Sequence, residues 1–531
     1  MRINMSFKVQ QKNRIIIAYL AVIIVSCMIF IGYGMNKRIS YADEIYTYTI
    51  VNAKSAFVQF PVGQWVSRQY MVDDFSHDAG DTFGHMLESV RYDRVHPPLY
   101  YILLYGLFSI FKGSTSIWIP LLLNLIFYLG SITLIFCFVN KIFKSCWAAA
   151  ASVLFAVNIG VISSAMFIRM YMMLTFFILA FIYVNYLIWE NRKKWYLYVL
   201  IFAITVCGFL TQYYFALFAA GCYITEFLYD IIRKKYKSLA VFTGAMAAAV
   251  VAVTLIWTEW LRDIFGNVHS QSMFEKTGNI ASTFFANIPK TIQYLYGTIF
   301  KNLYIPMFIL IAAGIIYVIF SGKMREKYSS TLRFTLVKVY VAANFNALVI
   351  TELAPDYLLS NRYYYAPAAA ILVVCILLAF MAVSGFTYKK LSGMAAAAVL
   401  LAIAEVYILS GNNLDYYTNA DEYDKNIAML RQYEDIPWVI GGSEGWITRN
   451  HLEQFMIPYT IMLVDEDTPA VEDEVLENTD EFLLLGYDDN VKFSDIGIEY
   501  YVNCTGNDYE EQEIMTWNSL HVYLIKKVKN R

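Results

Sequence analysis

The chain has 531 residues, of which 58% are hydrophobic and 16% are charged, and its formal net charge is −2. A soluble domain carries about 25% charged residues. Here the apolar residues also fall in long blocks, many of them near the roughly 20 residues that cross a bilayer. These features exclude a soluble enzyme, a disordered chain and a collagen-like or disulfide-stapled protein. The sequence predicts a polytopic membrane protein.

The charge is distributed unevenly along the chain. Residues 411–531 hold 25 acidic and 8 basic residues, whereas residues 1–410 hold 18 acidic and 33 basic ones. We therefore predict a membrane domain over 1–410 and an acidic domain over 411–531. The seven cysteines form no C-x-x-C pair and no His/Cys cluster, so their spacing predicts no metal site.

Basic residues in short loops mark the cytoplasmic side of a membrane protein. Successive basic clusters must therefore be separated by an even number of crossings. The apolar stretch 98–111 has only 14 residues, which favours an interfacial or re-entrant segment over a span. With that stretch laid at the outer surface, we predict about eleven spans, a cytoplasmic N-terminus and an extracytoplasmic C-terminal domain in the plasma membrane. The predicted spans are 15–35, 117–140, 147–167, 170–190, 197–211, 214–230, 238–258, 303–320, 331–353, 364–383 and 391–410.

Two long segments are predicted to face outward, a first loop at 36–116 and a second at 259–302. The acidic domain shows the alternation of elements that is typical of a small α/β fold. Segments 421–433 and 449–456 are predicted to be helical. Apolar runs bounded by Gly, Asp and Asn predict strands at Trp438–Ile440, Thr460–Val464, Phe482–Leu485, Ile498–Val502 and His521–Ile525. The predicted fold class is thus an all-α polytopic membrane protein with a C-terminal extracytoplasmic α/β domain.

The first outward loop contains two groups that suit chemistry at a membrane surface. Asp43 and Glu44 follow the first span directly. Adjacent carboxylates at a membrane edge are usually just solvated, but one of them could also remove a proton from an acceptor hydroxyl. His96 precedes Pro97-Pro98, which suit the first turn of a helix. It is either an interfacial residue or a donor to a phosphate or sugar near the headgroups.

Two arginines are predicted at outward turns, where basic residues are normally sparse. Arg169 lies between the third and fourth predicted spans, and Arg362 lies just before the tenth. Each either extends to the headgroups or pairs with a lipid phosphate, because guanidinium binds phosphate through two parallel hydrogen bonds. Lys338, inside the span 331–353, is predicted to reach the cytoplasmic edge or to pair within the bundle.

Taken together, these motifs resemble the GT-C glycosyltransferases, and most closely the bacterial branch of glycosyltransferase family 39, which includes protein O-mannosyltransferase and aminoarabinose transferase relatives. The resemblance covers roughly 1–410. Its motifs in this sequence are Asp43-Glu44, His96-Pro97-Pro98-Leu99, Arg169-Met170-Tyr171, Thr211-Gln212-Tyr213-Tyr214 and Arg362-Tyr363. The motifs are specific as a set, although each one alone is weak.

The resemblance implies an inverting glycosyltransferase that takes a sugar from a polyprenyl phosphate donor and passes it to a hydroxyl of an extracytoplasmic protein, lipid or cell-envelope glycan. It implies that Asp43 is the base and that Glu44 orients the acceptor or tunes Asp43. Binding of the donor and its lipid phosphate would fall to His96, Arg169, Tyr171, Arg362 and Tyr363. The resemblance leaves open whether the activity requires a divalent cation, and no nucleic-acid partner is expected.

Three positions depart from the family pattern. Gln212 replaces the usual histidine of the hairpin, and Phe167 stands where a Glu often precedes the Arg-x-Tyr turn. Tyr100-Tyr101 follows the His-Pro-Pro-Leu motif where eukaryotic mannosyltransferases have Gly-Lys. These departures leave the sugar and the acceptor open.

Two other classes of protein remain as alternatives. A transporter or lipid flippase predicts ionisable residues near the middle of broken helices and a repeated half-structure, whereas the ionisable residues here are expected at the outer ends of the spans. A receptor that senses a ligand through residues 411–531 would leave the Asp-Glu and His-Pro-Pro motifs without a role.

Overall fold

The computed structural model describes residues 2–39, 41–52, 61–78, 80–143, 145–265, 280–354, 359–383, 390–418, 420–442, 452–487, 493–517 and 520–528. They form two compact units. The first unit comprises Met1–Met35, Asp93–Tyr100 and Leu121–Asp415, and the second comprises Asn36–Tyr92, Tyr101–Pro120 and Tyr416–Arg531. The second unit therefore combines most of the first predicted outward loop with the acidic C-terminal part.

Helices dominate the described chain. In chain order they are α1 (Arg2–Met35), α2 (Ala42–Asn52), α3 (Arg68–Phe75), α4 (Phe83–Asp93), α5 (Leu99–Ile110), α6 (Trp118–Ile142), α7 (Ser145–Ala156), α8 (Ile159–Met166), α9 (Tyr171–Glu190), α10 (Trp195–Thr211), α11 (Tyr214–Ile232), α12 (Tyr236–Ile256), α13 (Glu259–Phe265), α14 (Ile280–Phe300), α15 (Tyr304–Phe320), α16 (Gly322–Lys327), α17 (Ser330–Leu353), α18 (Tyr365–Val383), α19 (Lys390–Gly411), α20 (Ala420–Leu430), α21 (Glu474–Glu477) and α22 (Phe493–Thr505).

The long apolar helices belong to the first unit and make the chain a multi-pass membrane protein. Within the described ranges, eight helical segments are long and apolar enough to cross a bilayer, or nine if α7 and α8 form one span bent by 61°. The predicted span 147–167 is this broken pair. The predicted hairpin of 197–211 and 214–230 is confirmed as α10 and α11. The stretch set aside as too short for a span forms the 12-residue helix α5.

One membrane-length helix was not predicted. Residues 280–300, placed by the sequence in an outward loop, form α14, and Phe284–Phe320 is one apolar helical segment of 37 residues. Polar residues and Pro289 interrupt the apolar pattern of α14, so the sequence shows no continuous apolar run there. Residues 266–279 of the predicted loop, with His269, lie outside the described residues.

The helices also bury ionisable groups, contrary to the expectation that these would lie only at the outer ends. Lys338 pairs with Glu226 at 3.1 Å, and Asn185 donates to the same Glu226 carboxylate at 3.0 Å. Near the break between α7 and α8, Asn158 donates to Glu405 at 2.8 Å. Since these carboxylates contact polar partners inside the bundle, their burial is compatible with a structural role.

The second unit is built around a six-stranded sheet of order β1-β3-β2-β4-β6-β5. Strands β3, β2 and β4 are parallel, and the outer pairs are antiparallel. This arrangement confirms the predicted C-terminal α/β fold. The strands are β1 (Val66–Ser67), β2 (Trp438–Gly441), β3 (Thr460–Val464), β4 (Glu481–Tyr487), β5 (Tyr509–Trp517) and β6 (Leu520–Lys527).

Four of the five predicted strands are confirmed as β2, β3, β4 and β6. The fifth, Ile498–Val502, is wrong, because these residues lie within α22. The buried positions of α22 include Gly497, Tyr500, Tyr501 and Cys504, a spacing of three and four residues that places one helical face against the sheet. The predicted helices are found as α20 with the 3-10 turn Arg431–Tyr433, and as the 3-10 turn Leu452–Met456. Residues 449–451 of the latter prediction lie outside the described residues.

The edges of the sheet come from segments that the sequence did not assign to strands. Strand β5 has five exposed side chains, three of them glutamates, and therefore lacks an apolar alternation. Strand β1 has two residues and comes from the first predicted outward loop, where it pairs with β3. The Trp65 indole donates to the Asp473 carboxylate at 3.0 Å, which further fixes this loop within the second unit.

Candidate functional site

Arg169 lies in a buried turn between α8 and α9. The side chain of Asn124, on α6, donates to the carbonyl oxygens of Ala165 at 3.0 Å and Phe167 at 2.8 Å. The Arg169 amide donates to the Phe167 carbonyl at 2.8 Å. These bonds satisfy backbone groups that the end of α8 leaves open. They fix the turn, so that Arg169 is held with only 3% of its surface exposed.

His96 contacts Arg169 and is itself held by Asp93. The His96 ring Nδ1 lies 2.6 Å from the Asp93 carboxylate, and the His96 amide donates to the same oxygen at 3.2 Å. An Arg169 Nη2 lies 3.4 Å from His96 Nε2. Arg94, between them, has a left-handed backbone with φ of 55°, which turns the chain back so that His96 meets Asp93. In the neutral ring Nδ1–H donates to Asp93, and Nε2 is left to accept from Arg169.

The environment favours a neutral His96 and a charged Asp93. Burial lowers the pKa of His96, and the Arg169 charge lowers it further, against the opposing charge of Asp93. Burial alone would raise the pKa of Asp93, but the interactions with His96 and Arg169 outweigh it, and the net pKa lies below the usual range. The trio therefore carries one cation and one anion, with the imidazole between them.

Tyrosines pack beside this turn. Tyr171 stacks on Phe167 with ring centroids 5.9 Å apart and an interplanar angle of 8°. Tyr363 contacts Tyr171 and Tyr214 edge-on, at 6.4 and 5.6 Å. Arg362 Nη2 donates to the Tyr363 hydroxyl at 3.2 Å. The first unit thus brings His96 together with Arg169, and Tyr171 together with Tyr363 and Arg362.

Sequence reasoning assigned no role to three residues of this region, although one of them, Tyr213, belongs to a motif of the resemblance. Asp93 is one, and its signal was a carboxylate three residues before the His-Pro-Pro motif. The others are Tyr213, whose hydroxyl donates to Asp263 at 2.7 Å, and Asp263 itself. Burial raises the pKa of Asp263, while the bond from Tyr213 opposes the rise. Local sequence gave no reason to join Asp263 with Tyr213, 50 residues away.

Asp43 and Glu44 belong to the second unit, in the first turn of α2. The Glu44 carboxylate is fully buried and pairs with Lys37 Nζ at 2.8 Å. Asp43 is half-buried, and its carbonyl accepts from the Thr47 hydroxyl at 2.9 Å. Acidic residues are favourable in a first turn because of the helix dipole. The two neighbouring carboxylates therefore differ, since one is deeply buried with a lysine and the other is more accessible.

The second unit also contains a polar cavity of about 480 Å³. Lys37 lines it, together with Thr115 and Ser116. Its three arginines are Arg38, which forms a two-bond pair with Asp424 at 2.7 Å for each bond, Arg68 and Arg431. In the part of the chain that the structure describes, no group of three or more His, Cys, Asp or Glu residues is arranged to hold a metal ion.

Comparisons with known proteins identify the fold. No protein-family model and no curated protein matches the sequence. Among solved structures, ArnT from Cupriavidus metallidurans bound to undecaprenyl phosphate matches with a TM-score of 0.54 and 11% identity, over 96% of this chain and 97% of that one. Its apo state matches with a TM-score of 0.52 and 10% identity, over the same shares.

A second protein shares the architecture. The Archaeoglobus fulgidus oligosaccharyltransferase in complex with Zn and sulfate matches with a TM-score of 0.51 and 14% identity, over 88% of this chain and 67% of that one. Both neighbours are glycosyltransferases of the GT-C fold. The chain therefore has the GT-C fold, as the sequence predicted. Sequence identities this low establish the fold and not a shared activity.

Proposed function

We propose that the protein is an inverting membrane glycosyltransferase. It moves a sugar from a polyprenyl phosphate donor to a hydroxyl of an extracytoplasmic acceptor, which is a protein, a lipid or a cell-envelope glycan. The observation that carries this proposal is the buried Arg169, held in place by Asn124 through the backbone and contacted by the His96–Asp93 pair. A buried and positioned guanidinium is suited to binding a phosphate.

The donor phosphate would bind at Arg169. The attraction between the Arg169 guanidinium and a phosphate is stronger in this buried setting than in water, because the local dielectric constant is low. His96 orients Arg169 by accepting from Nη2, and Asp93 fixes the tautomer in which His96 can accept. Tyr171, Tyr363 and Arg362 would contact the donor beside the phosphate. The solved ArnT complex with undecaprenyl phosphate supports this class of donor for the shared fold.

Asp43 would act as the base. Its carboxylate takes the proton from the acceptor hydroxyl, whose oxygen attacks the anomeric carbon. The bond from that carbon to the phosphate oxygen breaks, and polyprenyl phosphate leaves with the electron pair, where Arg169 stabilises its charge. Attack from the face opposite the leaving group inverts the anomeric centre. Glu44 acts as a positioning residue in this proposal, since its carboxylate is engaged with Lys37.

The polar cavity of the second unit is our candidate for the acceptor site. Its lining combines hydroxyls, arginines and carboxylates, which together offer the donors and acceptors that a hydroxyl-rich glycan needs. Lys37, the partner of Glu44, is one of its lining residues. The Lys37–Glu44 pair thus connects the cavity with the helix that carries Asp43.

The test is a reconstituted assay with a panel of polyprenyl phosphate sugars, in which released polyprenyl phosphate is measured by mass spectrometry. Asp43→Asn should reduce release by at least about 10²-fold, the low end for a general base, while the variant still binds the donor. Asp495→Asn is the matched control, because Asp495 lies exposed in the first turn of α22. Turnover of Asp43→Asn at the wild-type rate would refute the mechanism, and failure of every donor to bind would refute the proposed function.

The transporter alternative has weaker support. A transporter would use buried ionisable groups to bind its cargo. Here the buried ionisable groups instead contact each other or a neighbouring amide, in the Lys338–Glu226–Asn185 group and the Glu405–Asn158 pair. The receptor alternative treats the C-terminal part as a separate sensor domain. That part is not separate, because its sheet includes β1 from the first predicted outward loop.

A further inference from the structure

A second charged region of the first unit has no part in the proposed transfer. It lies where α9 and α11 end, at the connections to α10 and α12. Because α9 begins two residues after Arg169 and is 20 residues long, its end is about 30 Å along the helix from the candidate phosphate site. The distribution of basic residues predicts that this end is cytoplasmic.

The connections border an open cavity of about 820 Å³ whose lining is strongly basic. Five lining residues are cations, and none of the lining residues described by the structure is acidic. The cationic residues are Arg192, Lys193, Lys234, Lys235 and Lys237, and the others are Trp195, Tyr198, Tyr236, Ser238 and Val241. Like charges gathered in one cavity repel each other, and a bound anion would relieve that repulsion.

Arg192 is a preformed anchor within this lining. Its Nη1 donates to the fully buried Asp230 carboxylate at 2.7 Å, and it also contacts the Ser238 hydroxyl. The guanidinium lies 4.1 Å from the Trp189 ring centroid. Its Nη2 is buried and has no hydrogen-bond partner among the described residues. One side of the guanidinium is thus fixed by Asp230, while 19% of the Arg192 side chain stays exposed and the residue lines the cavity.

The lysines are held by a tight backbone turn at the end of α11. Lys234 has a left-handed backbone with φ of 54°, and its amide donates to the Ile231 carbonyl at 3.0 Å. The Lys235 amide donates to the Asp230 carbonyl at 2.8 Å. These bonds cap the helix and project the lysines from a defined turn.

The rest of the lining is typical of a membrane interface rather than of a site for a soluble ligand. Trp195 is 73% exposed and Tyr236 is 59% exposed, and both carry the amphipathic rings that concentrate at headgroup level. Val241 lines the cavity and is exposed, as are Val199 and Leu200 on the neighbouring helix α10. Basic residues at one level and exposed aliphatic side chains beside them fit a molecule with an anionic head and acyl chains.

We propose that this cavity binds the phosphate headgroup of an anionic phospholipid from the surrounding leaflet. Arg192 holds the phosphate, and Lys193, Lys234 and Lys237 add attraction. The acyl chains lie along the exposed aliphatic residues of α10 and α12. The proposal concerns a lipid at the far end of α9 and does not depend on the glycosyltransferase proposal.

The test compares the full-length protein with the variant Lys193→Gln/Lys234→Gln/Lys237→Gln, in which Arg192 and its buried partner are kept. The control is Lys323→Gln/Arg325→Gln/Lys327→Gln, which removes three charges from the exposed helix α16. Each purified protein is titrated in neutral detergent with phosphatidylglycerol, with phosphatidylcholine or with inorganic phosphate. Retained lipid is measured by native mass spectrometry, and the unfolding midpoint is measured by thermal denaturation.

We expect wild type and control to retain phosphatidylglycerol over phosphatidylcholine and to gain thermal stability from it. The apparent affinity of the cavity variant should fall by up to about 100-fold, since each of the three lysines contributes up to about fivefold near an anionic headgroup. Equal retention by the cavity and control variants would overturn the proposal, as would equal retention of the two lipids. An equal stabilisation by inorganic phosphate would also overturn it and would indicate a site for a free phosphate.

Discussion

Arg169 owes its position to main-chain geometry. Asn124 fixes the turn through two carbonyl oxygens, and the arginine side chain then reaches His96. The identity of Arg169 as a candidate was predictable, because an arginine at an outward turn is unusual. Its support was not predictable, since Asn124 is an ordinary polar residue inside an apolar helix and is 43 residues away from Phe167.

The first prediction concerns the geometry of the guanidinium. Arg169→Lys keeps the charge and loses the planar pair of donors, so we expect transfer to fall by about tenfold or more. Arg169→Ala removes both and should reduce kcat by about 10²- to 10³-fold, as for other groups that stabilise developing charge. The measurement is the initial rate of polyprenyl phosphate release. The exposed Arg325→Ala is the control, and a rate for Arg169→Ala within twofold of that control would contradict the prediction.

The second prediction is a pH dependence of stability that arises at His96. Burial lowers the pKa of His96 in the folded protein, so the unfolded chain binds a proton at this residue before the folded one does. The free energy of unfolding should therefore fall as the pH drops below about 6.5, the unfolded pKa of histidine. His96→Gln lacks this titration and is the reference. The difference in unfolding midpoint, wild type minus His96→Gln, should be constant above pH 7 and shrink below 6.5; a constant difference down to pH 5 would contradict it.

At the scale of the helix, buried polar contacts set the packing. The Lys338–Glu226–Asn185 group joins α17, α11 and α9. Pairing of Lys338 within the bundle was one of the two outcomes that the sequence predicted. Its partner could not be predicted, because Glu226 is 112 residues away and local sequence carries no information about helix neighbours.

The third prediction follows from this group. Glu226→Gln leaves the Lys338 charge buried without its counter-ion and should destabilise the protein by about 3–5 kcal/mol. The double variant Glu226→Met/Lys338→Met replaces the pair by apolar side chains and should recover most of that loss. Thermal unfolding of the purified proteins in detergent provides the measurement. A double variant less stable than Glu226→Gln would show that the pair itself, rather than its balance of charge, stabilises the bundle.

The fourth prediction concerns the break between α7 and α8. A Cβ on Gly160 would lie 2.6 Å from the Thr298 carbonyl oxygen, so α14 leaves no room for a side chain there. Gly160→Ala should cost about 1–3 kcal/mol of stability through overpacking. Gly244→Ala on α12 meets no atom within 4 Å and should be neutral or stabilising by about 0.4–1 kcal/mol. Equal unfolding midpoints for the two variants would contradict the close approach of α14.

The misassigned segment Ile498–Val502 shows where local pattern fails at this scale. Apart from Glu499, its residues are β-branched or aromatic, which favours a strand by propensity. In the structure the helical spacing of Gly497, Tyr500 and Tyr501 places one face against the sheet. Tertiary packing therefore decides the element, and a window of five residues is too short to reveal it.

At the scale of the whole molecule, block composition predicted a polytopic membrane part, and the alternation of elements predicted the C-terminal α/β fold. The GT-C fold was predicted by the resemblance of the motifs to a known family. Which segments of the chain make up the second unit was not predictable. Strand β1 has two residues and no strand signal, yet its pairing with β3 and the Trp65–Asp473 contact make the first predicted outward loop part of the C-terminal fold.

The fifth prediction uses this composite character. A fragment of residues 416–531 lacks β1, Trp65 and Arg68. The edge of β3 therefore loses β1, the Asp473 carboxylate loses the Trp65 donor, and Glu434 loses Arg68. We expect the fragment to unfold at a lower temperature than the same unit in the full-length protein, as followed by protection of β3 amides from hydrogen exchange. Trp65→Phe in the full-length chain is the milder counterpart, because it removes only the indole donor. Equal protection of β3 in fragment and full-length protein would show that the C-terminal part folds alone.

The pairing of Trp65 with Asp473 spans 408 positions of the chain. At about 5–20 residues per second, the ribosome needs roughly 20 to 80 s to deliver the second partner after the first. During that interval the Trp65 indole and strand β1 have no partner, while the membrane helices that lie between Trp65 and Asp473 in the sequence are synthesised. The second unit can therefore be completed only after residue 473 has been synthesised. A nascent chain arrested before residue 438 should present residues 61–75 to proteases and chaperones that the finished protein excludes.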